Sequence, residues 1–476
     1  MRINYNALAM NATTNFGKIN NKVAKSMSRL SSGYKITSPA DDAAGLAISK
    51  KMSAQIRGLD RAALNSNDGI SVIQSAEGGM EEMHSILGRM RELAVQAAND
   101  VNDEVDRDAI QEEIDSLAAE LTQISETTSF NGQTLLNGDL TRRSLSSVNG
   151  VKAAYISSEV STGVYSLKVT ADAEQASMVT GFSYSTAVIA KEQAGTLKVN
   201  GFSITISEGM TMDEVYRSLQ TGLAKINVDV FATQDGSTEA DFASGAPVLF
   251  RTKEYGSSEK IEISVSNPEL AAVLGVTDGT SVQGKDCKAT LTTADDGFST
   301  TATVSTAGNK IEITDRSGFS MTVEVDPGIV GQNGATISAD IEVLSAGTMI
   351  VQTGSNEGEQ LSVDIPELTA KSLDVDELIM YTHEYASKAI EKIDEAVKKV
   401  SSARSKLGAY ENRLDDIHSN LQVQSESITE AYSRIMDTDM AEEMTEYTQQ
   451  EVLSQAAISM MQKANDRPES ILQLLQ

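Results

Sequence analysis

From Ile393 the apolar and small residues of the chain recur at alternating steps of three and four, through Ala396, Val400, Ala403, Leu407, Tyr410, Leu414, Ile417, Leu421, Gln424, Ile428, Ala431 and Ile435. Such spacing lays one face of a helix against a neighbour and is the a/d seam of a coiled coil. At 1.5 Å per residue the stretch would run roughly 65 Å, and it contains no proline. Near the other end Ile73, Ala76, Met80, Met83, Leu87, Met90, Ala94, Ala97 and Val101 keep the same rhythm. After a polar break at 99–106 it returns in Ile110, Ile114, Leu117, Leu121 and Ile124. The spacing predicts that three seams, drawn from two distant arms, meet in one bundle. The alternative is that each stripe is the buried face of a separate helical domain.

Between the arms the pattern changes period. From about 145 to 365, Ser, Thr and Gly surround alternating apolar positions: Tyr165, Leu167 and Val169; Leu197 and Val199; Phe202, Ile204 and Ile206; Ile261, Ile263 and Val265; Ile311 and Ile313; Met321, Val323 and Val325. These read as strands with one solvated face, interrupted by helical runs at 212–226 and 268–274. The fold class is therefore a mainly α coiled-coil bundle formed by the N- and C-terminal arms, with a central α+β, β-rich insert. Entry near 145 and exit near 365 are expected to lie close together. In the N-terminal arm, Gly33 and Pro39 punctuate a turn, and Asp41 and Asp42 can cap the helix that follows. Two Asn-Gly pairs in FNGQTLLNG (130–138) signal a hairpin.

Composition narrows the partners. The 476 residues allow about three domains, with 4% aromatics and no tryptophan, so the core rests on aliphatic side chains and methionine. A net charge of -29 repels nucleic acid and anionic membranes. The single cysteine, Cys287, leaves no intramolecular disulfide. The N-terminal segment lacks the apolar core of a cleaved signal peptide, and no apolar stretch approaches a membrane span. By these criteria alone the chain reads as cytoplasmic, unless a non-cleaving export route carries it out.

Chemistry is sparse. His383-Glu384 begins like the zinc-protease HExxH, but Ser387 stands where the second imidazole belongs, so a solvated helical histidine is the reading. There is no P-loop, Rossmann or GxSxG fingerprint. No catalysis and no cofactor is expected. Asn11-Ala12-Thr13 fits a glycosylation sequon, which in a terminal helix reads as chance.

The motifs resemble those of bacterial flagellin, the flagellar filament subunit. RLSSGYKITSPADDAAGLAIS (29–49) is similar to that family's N-terminal signature, and FNGQTLLNG to the hairpin after it. LGAYENRLDDIHSNL (407–421) and the block from Glu430 to Asn465 are similar to its C-terminal segments. More weakly, 195–227 resembles a repeat of flagellin and hook-associated inserts, and 351–360 the re-entry into the C-terminal arm. The resemblance implies terminal helices over 1–45 and 436–476 in the filament core, a bundle with hairpin over 46–145 and 347–435, and a surface insert over 146–346, open to division into two subdomains. It also implies passage unfolded through the flagellar type III export apparatus, an export chaperone for the C-terminal helices, and filament cap and hook-junction proteins as neighbours. The product would be extracellular, without a cleaved signal peptide.

Two surfaces carry the expected function. Phe16, Ile19, Val23, Met27 and Leu30 form an N-terminal stripe. Leu453, Ala456, Ala457, Met460, Met461, Ala464, Ile471, Leu472, Leu474 and Leu475 form a face too broad for two helices to cover. Unsatisfied faces that meet without closing a ring build an open helical homopolymer. The ends are expected to order only in that polymer. Arg89, Leu93 and Gln96 follow i, i+4, i+7 beside the seam, with Leu93 expected on an exposed flank. LGRMRELAVQAAND (87–100) resembles the flagellin segment bound by Toll-like receptor 5, Glu113 matches an acidic contact, and Gly88 departs from the usual glutamine. Other functional readings are a hook-filament junction protein and an adhesin displayed on a coiled-coil stalk.

Overall fold

The computed structural model describes residues 6–157, 160–185, 187–234, 239–240, 242, 245–291, 297–316, 318–330, 336–344 and 347–473, with backbone alone for 468–473. Helix α1 spans Ala7–Ser32, α2 Ala43–Ala97, α3 Glu104–Thr127, α4 Met212–Ala224, α5 Pro268–Leu274, α6 Ala370–Leu373, α7 His383–Met436 and α8 Met440–Gln473. The chain divides into two compact units, one of residues 1–69, 351–361 and 413–476, the other of 70–350 and 362–412. Among the described residues no helix is long and apolar enough to cross a membrane.

In the first unit α1 and α8 run antiparallel. Asn6 Nδ2 donates to Ala464 O at 2.9 Å at one end, and at the other Lys35 N donates to Met436 O at 2.6 Å. Helix α1 stops where Gly33 takes a left-handed conformation (φ 72°) and returns its N–H to Arg29 O. Of the two acidic residues expected to cap the next helix, Asp42 does so, accepting from Gly45 N at 2.9 Å. Asp41 instead accepts from Thr37 and Ser38 and pairs with Lys25 at 2.6 Å. Lower in the unit, Leu59, Ala62 and Leu421 form a small core.

In the second unit the three seams meet as expected. Ile73, Ala76, Met80, Met83, Leu87, Met90, Ala94 and Ala97 are fully buried, as are Ile393, Ala396, Val400 and Leu407 on α7 and Leu121 on α3. Val101 departs from the pattern at 84% exposed, because α2 ends at Ala97 and Val101 belongs to the connecting turn. Helix α3 then restarts from an Asp103–Asp106 capping box. The FNGQ hairpin forms with Asn131 and Gly132 at φ 51° and 81°, the positive angles of a type I′ turn.

The insert has two cores. Strands Lys288–Leu291, Gly163–Ala171, Ile337–Val343 and Ser144–Ser146 lie in that order in one antiparallel sheet. Thr303–Ala307, Lys310–Thr314, Ser320–Val325 and Val151–Ile156 form another, and the two share a core that includes Leu167, Ile311, Val323 and Ile341. Alternating burial, as in Ile311 and Ile313 against exposed Glu312, puts one face of each sheet inside. Ser144 pairs with Val343, and beyond it Leu368 N donates to Leu136 O at 2.9 Å, so the chain near 365 returns beside the entry segment. Inserted in sequence between the strands Gly163–Ala171 and Lys288–Leu291 is an inner module of about residues 174–285, whose neck is closed where Glu174 and Lys285 exchange backbone bonds of 2.8 and 2.9 Å. It comprises the sheet Thr280–Gln283, Lys260–Val265, Gly195–Val199 and Phe202–Ile206, a three-stranded sheet, and α4 and α5 around Phe182, Val215, Leu219 and Ile263.

Candidate assembly and recognition surfaces

The terminal surface is built by α1 and α8. Phe16, Ile19, Val23 and Leu30 are half-buried along the side of α1 that α8 covers, on a line that also holds buried Ser26. Met27 lies off that line and is exposed. On α8 the inward positions are Glu443, Tyr447, Gln450, Ser454, Ala457, Met461 and Ala464, mixed polar and small. Arg29 and Glu443 hold the base of the pair at 3.4 Å, with the Glu443 carboxyl only 8% exposed. The larger apolar side chains point away: Leu453 is 43% and Met460 65% exposed, joined by Met444, Val452 and Ile458 on α8 and by Leu8 and Met10 on α1. Packing between the two helices thus consumes the apolar stripe of α1 but a mixed face of α8. Of the other expected residues, Leu472 lies where backbone alone is described, and Leu474 and Leu475 lie outside the described residues.

On the second unit, Arg89 and Glu113 join α2 to α3: both Nε and Nη2 of Arg89 donate to Glu113 Oε1, at 3.0 and 2.8 Å, and Nη1 reaches Glu92 at 3.1 Å. These carboxylates raise the guanidinium pKa, chiefly through the Glu113 bonds. Arg89, Gln96 and Glu113 are exposed together. Leu93 is not on a free flank as expected; it is 2% exposed. The reason lies in the width of the buried stripe. Helix α2 packs on two partners here, α3 through Arg89 and α7 through the 2.7 Å bond from Arg91 to Asp394. At 100° per residue, Leu93 falls inside the arc that these two arginines bracket.

Two contributors escaped the pattern of the sequence. Arg107 donates to Ala97 O at 2.6 Å and to Asn99 O at 3.1 Å, closing the carbonyl end of α2 with a buried cation. Gln111 grips the chain before α7, donating to Leu378 O and accepting from Met380 N. Neither belongs to an apolar period, so periodicity gave no signal. His383 Nδ1 lies 2.6 Å from Ala98 O. Among the described residues no group of three His, Cys, Asp or Glu is placed to hold a metal ion.

Residues 3–141 match the bacterial flagellin N-terminal helical region and 390–475 the C-terminal helical region. A flagellin of Clostridium tyrobutyricum is 32% identical, covering 98% of this chain and 100% of its own length. Polar flagellin A of Vibrio parahaemolyticus is 32% identical across 100% of this chain and 99% of its own. A solved FliC from Burkholderia pseudomallei is 17% identical over 72% of this chain and 99% of its own, at a TM-score of 0.24, an overlap too loose to inform the arrangement of domains. Matching ends and full-length relatives define a structural protein of the flagellum, not an enzyme. The chain belongs to the bacterial flagellin family, the subunits of the extracellular flagellar filament.

Proposed function

We propose that the subunit polymerises through α1 and α8 into a helical homopolymer, and that the ends order fully only against neighbouring copies. What supports this reading most is the apolar surface that remains exposed after α1 and α8 have packed together, including Leu453 and Met460, seven residues apart on one side of α8. A face of this kind in water is stabilised by burial against another molecule. Heterologous contacts that do not close extend indefinitely. Before assembly the same face requires a cover, which is the task of an export chaperone, and the subunit passes unfolded through the flagellar type III apparatus. The cap protein at the tip and the hook-junction protein at the base are its other neighbours.

Replacing Leu453 and Met460 together with lysine tests the face directly. Both point away from α1, so monomer helicity by circular dichroism stays at the parent value while sedimentation finds no polymer. Polymer at the parent yield removes the face from assembly.

Recognition by Toll-like receptor 5 is placed on the same α2–α3 surface, through Arg89, Gln96 and Glu113. With Leu93 buried, its role there is to support the helix rather than to touch the receptor. Arg89→Ala and Glu113→Ala should each lower the response of receptor-expressing cells; unchanged responses would move the contact elsewhere.

A further inference from the structure

The inner module does not hang free on its neck. Its Asn200–Gly201 turn, with φ 50° and 83°, rests on the first turns of α7. There Asn200 Nδ2 donates to Tyr385 Oη at 2.9 Å, and Phe202 meets the Tyr381 ring edge-on at 6.0 Å. Burial pushes the Tyr385 phenol up to about 12. Around this aromatic seat both sides supply both signs of charge. Lys225 of the module reaches Asp108 at 3.0 Å and Glu104 at 3.5 Å on α3, and Lys260 reaches Glu384 at 3.3 Å on α7. In the opposite sense, Lys388 of α7 meets the module's Glu259 at 3.5 Å and donates to Ser258 O at 2.8 Å, and Lys392 meets Glu254 at 3.6 Å.

A neck of two chain crossings, steadied on the sandwich side where Tyr255 packs on the outer core and Ser257 N donates to Asp286 at 2.8 Å, would leave the far end of such a module free to swing. In a chain of net charge -29 an unmodified acidic contact would also push it away. Interleaved lysines reverse that sign locally, and reciprocal pairing fixes register as well as attraction. We propose that the first turns of α7, with the start of α3, are a docking platform for the inner module, held by this reciprocal lysine–carboxylate latch. The insert then presents one fixed surface on its bundle instead of a tethered, mobile lobe. The inference concerns the single subunit and stands apart from polymerisation.

The test uses the full-length monomer with spin labels on exposed positions of the module and the bundle, Thr221→Cys and Glu120→Cys, the buried Cys287 staying unlabelled. The parent should give one narrow distance by pulsed electron resonance. Lys225→Glu with Lys388→Glu should lose that single distance to a broad spread, and adding Asp108→Lys with Glu259→Lys should restore it. A narrow distance that survives the first pair overturns the latch, as does a spread that the reciprocal pair leaves unrepaired. Should the first pair lose helix content, the fourfold variant alone decides: narrow supports the proposal, broad overturns it.

Discussion

Leu93 and Arg89 are neighbours on one helical flank, yet they belong to different parts of the physics. Leu93 is 2% exposed, so Leu93→Ala should leave a cavity and cost about 2–5 kcal/mol in urea denaturation. Arg89→Ala should leave the midpoint where it is, because its pairs are solvated. Equal effects would mean that the stripe is narrower than described. The error in reading Leu93 from sequence has one cause: a single 3,4 seam assumes one partner, and α2 has two. Cys287 makes the converse point. The bare sequence marks it only as a lone thiol, whereas burial, helped by Asp286, pushes its pKa up to about 11. It should resist a thiol reagent at pH 8 until denaturant is added; fast labelling of native protein would contradict that burial. Asp41 carries a pH dependence of definite sign. The Lys25 ammonium, first, and the Ser38 and Thr37 donors hold its carboxyl well below the usual carboxylate range. A lowered folded-state pKa stabilises fully above the unfolded value of about 4 and is lost as pH falls beneath it. Asp41→Asn should therefore flatten the acid limb of the stability curve below about pH 4 while lowering stability at neutral pH. An unchanged acid limb would mean that Asp41 is not one of the groups that set it.

Elements were legible where one physical period or one turn type suffices. The strands at 163–171, 195–206, 260–265, 310–314 and 320–325 follow from alternation, and α5 coincides with the expected 268–274 run. The Asn131-Gly132 and Asn200-Gly201 turns adopt the positive φ pair that such residues take readily, whereas at Asn137-Gly138 and Asn149-Gly150 only the glycine is positive. Gly201→Val should accordingly unseat the tip of its hairpin, raising amide exchange in strands 195–199 and 202–206 more than in the outer sandwich; uniform exchange would contradict the turn's role. Pairing across long sequence gaps was not legible. Strand 163–171 joins 288–291 across more than a hundred residues, and alternation on each strand is satisfied by many partners. The sequence marks the C-terminal stripe as too broad for two helices to cover, but not which of its residues face α1. In fact α8 turns Glu443, Gln450 and Ser454 inward and keeps Leu453 and Met460 out, a choice that a monomeric helix pair would not favour. That inversion is itself the signal of a further partner.

At the scale of the molecule, the sequence conveyed that distant ends share a bundle, because long helical seams are unusable alone. It did not convey the nested insert, in which one sandwich is interrupted by a second core closed at Glu174 and Lys285, since the strands of both modules look alike. Nor did it reveal the lysines that seat the inner module, which as single letters are ordinary surface charges. The proposed division of labour follows: buried seams in α2, α3 and α7 stabilise one subunit, and the exposed faces of α1 and α8 are proposed to join subunits. Seeded polymerisation followed by electron microscopy tests that division most directly, with the full chain set beside a fragment of residues 31–444. The full chain should extend sheared filaments into long helical ones while the fragment remains a soluble, folded monomer. Filaments grown by the fragment, or only closed dimers from the full chain, would contradict it.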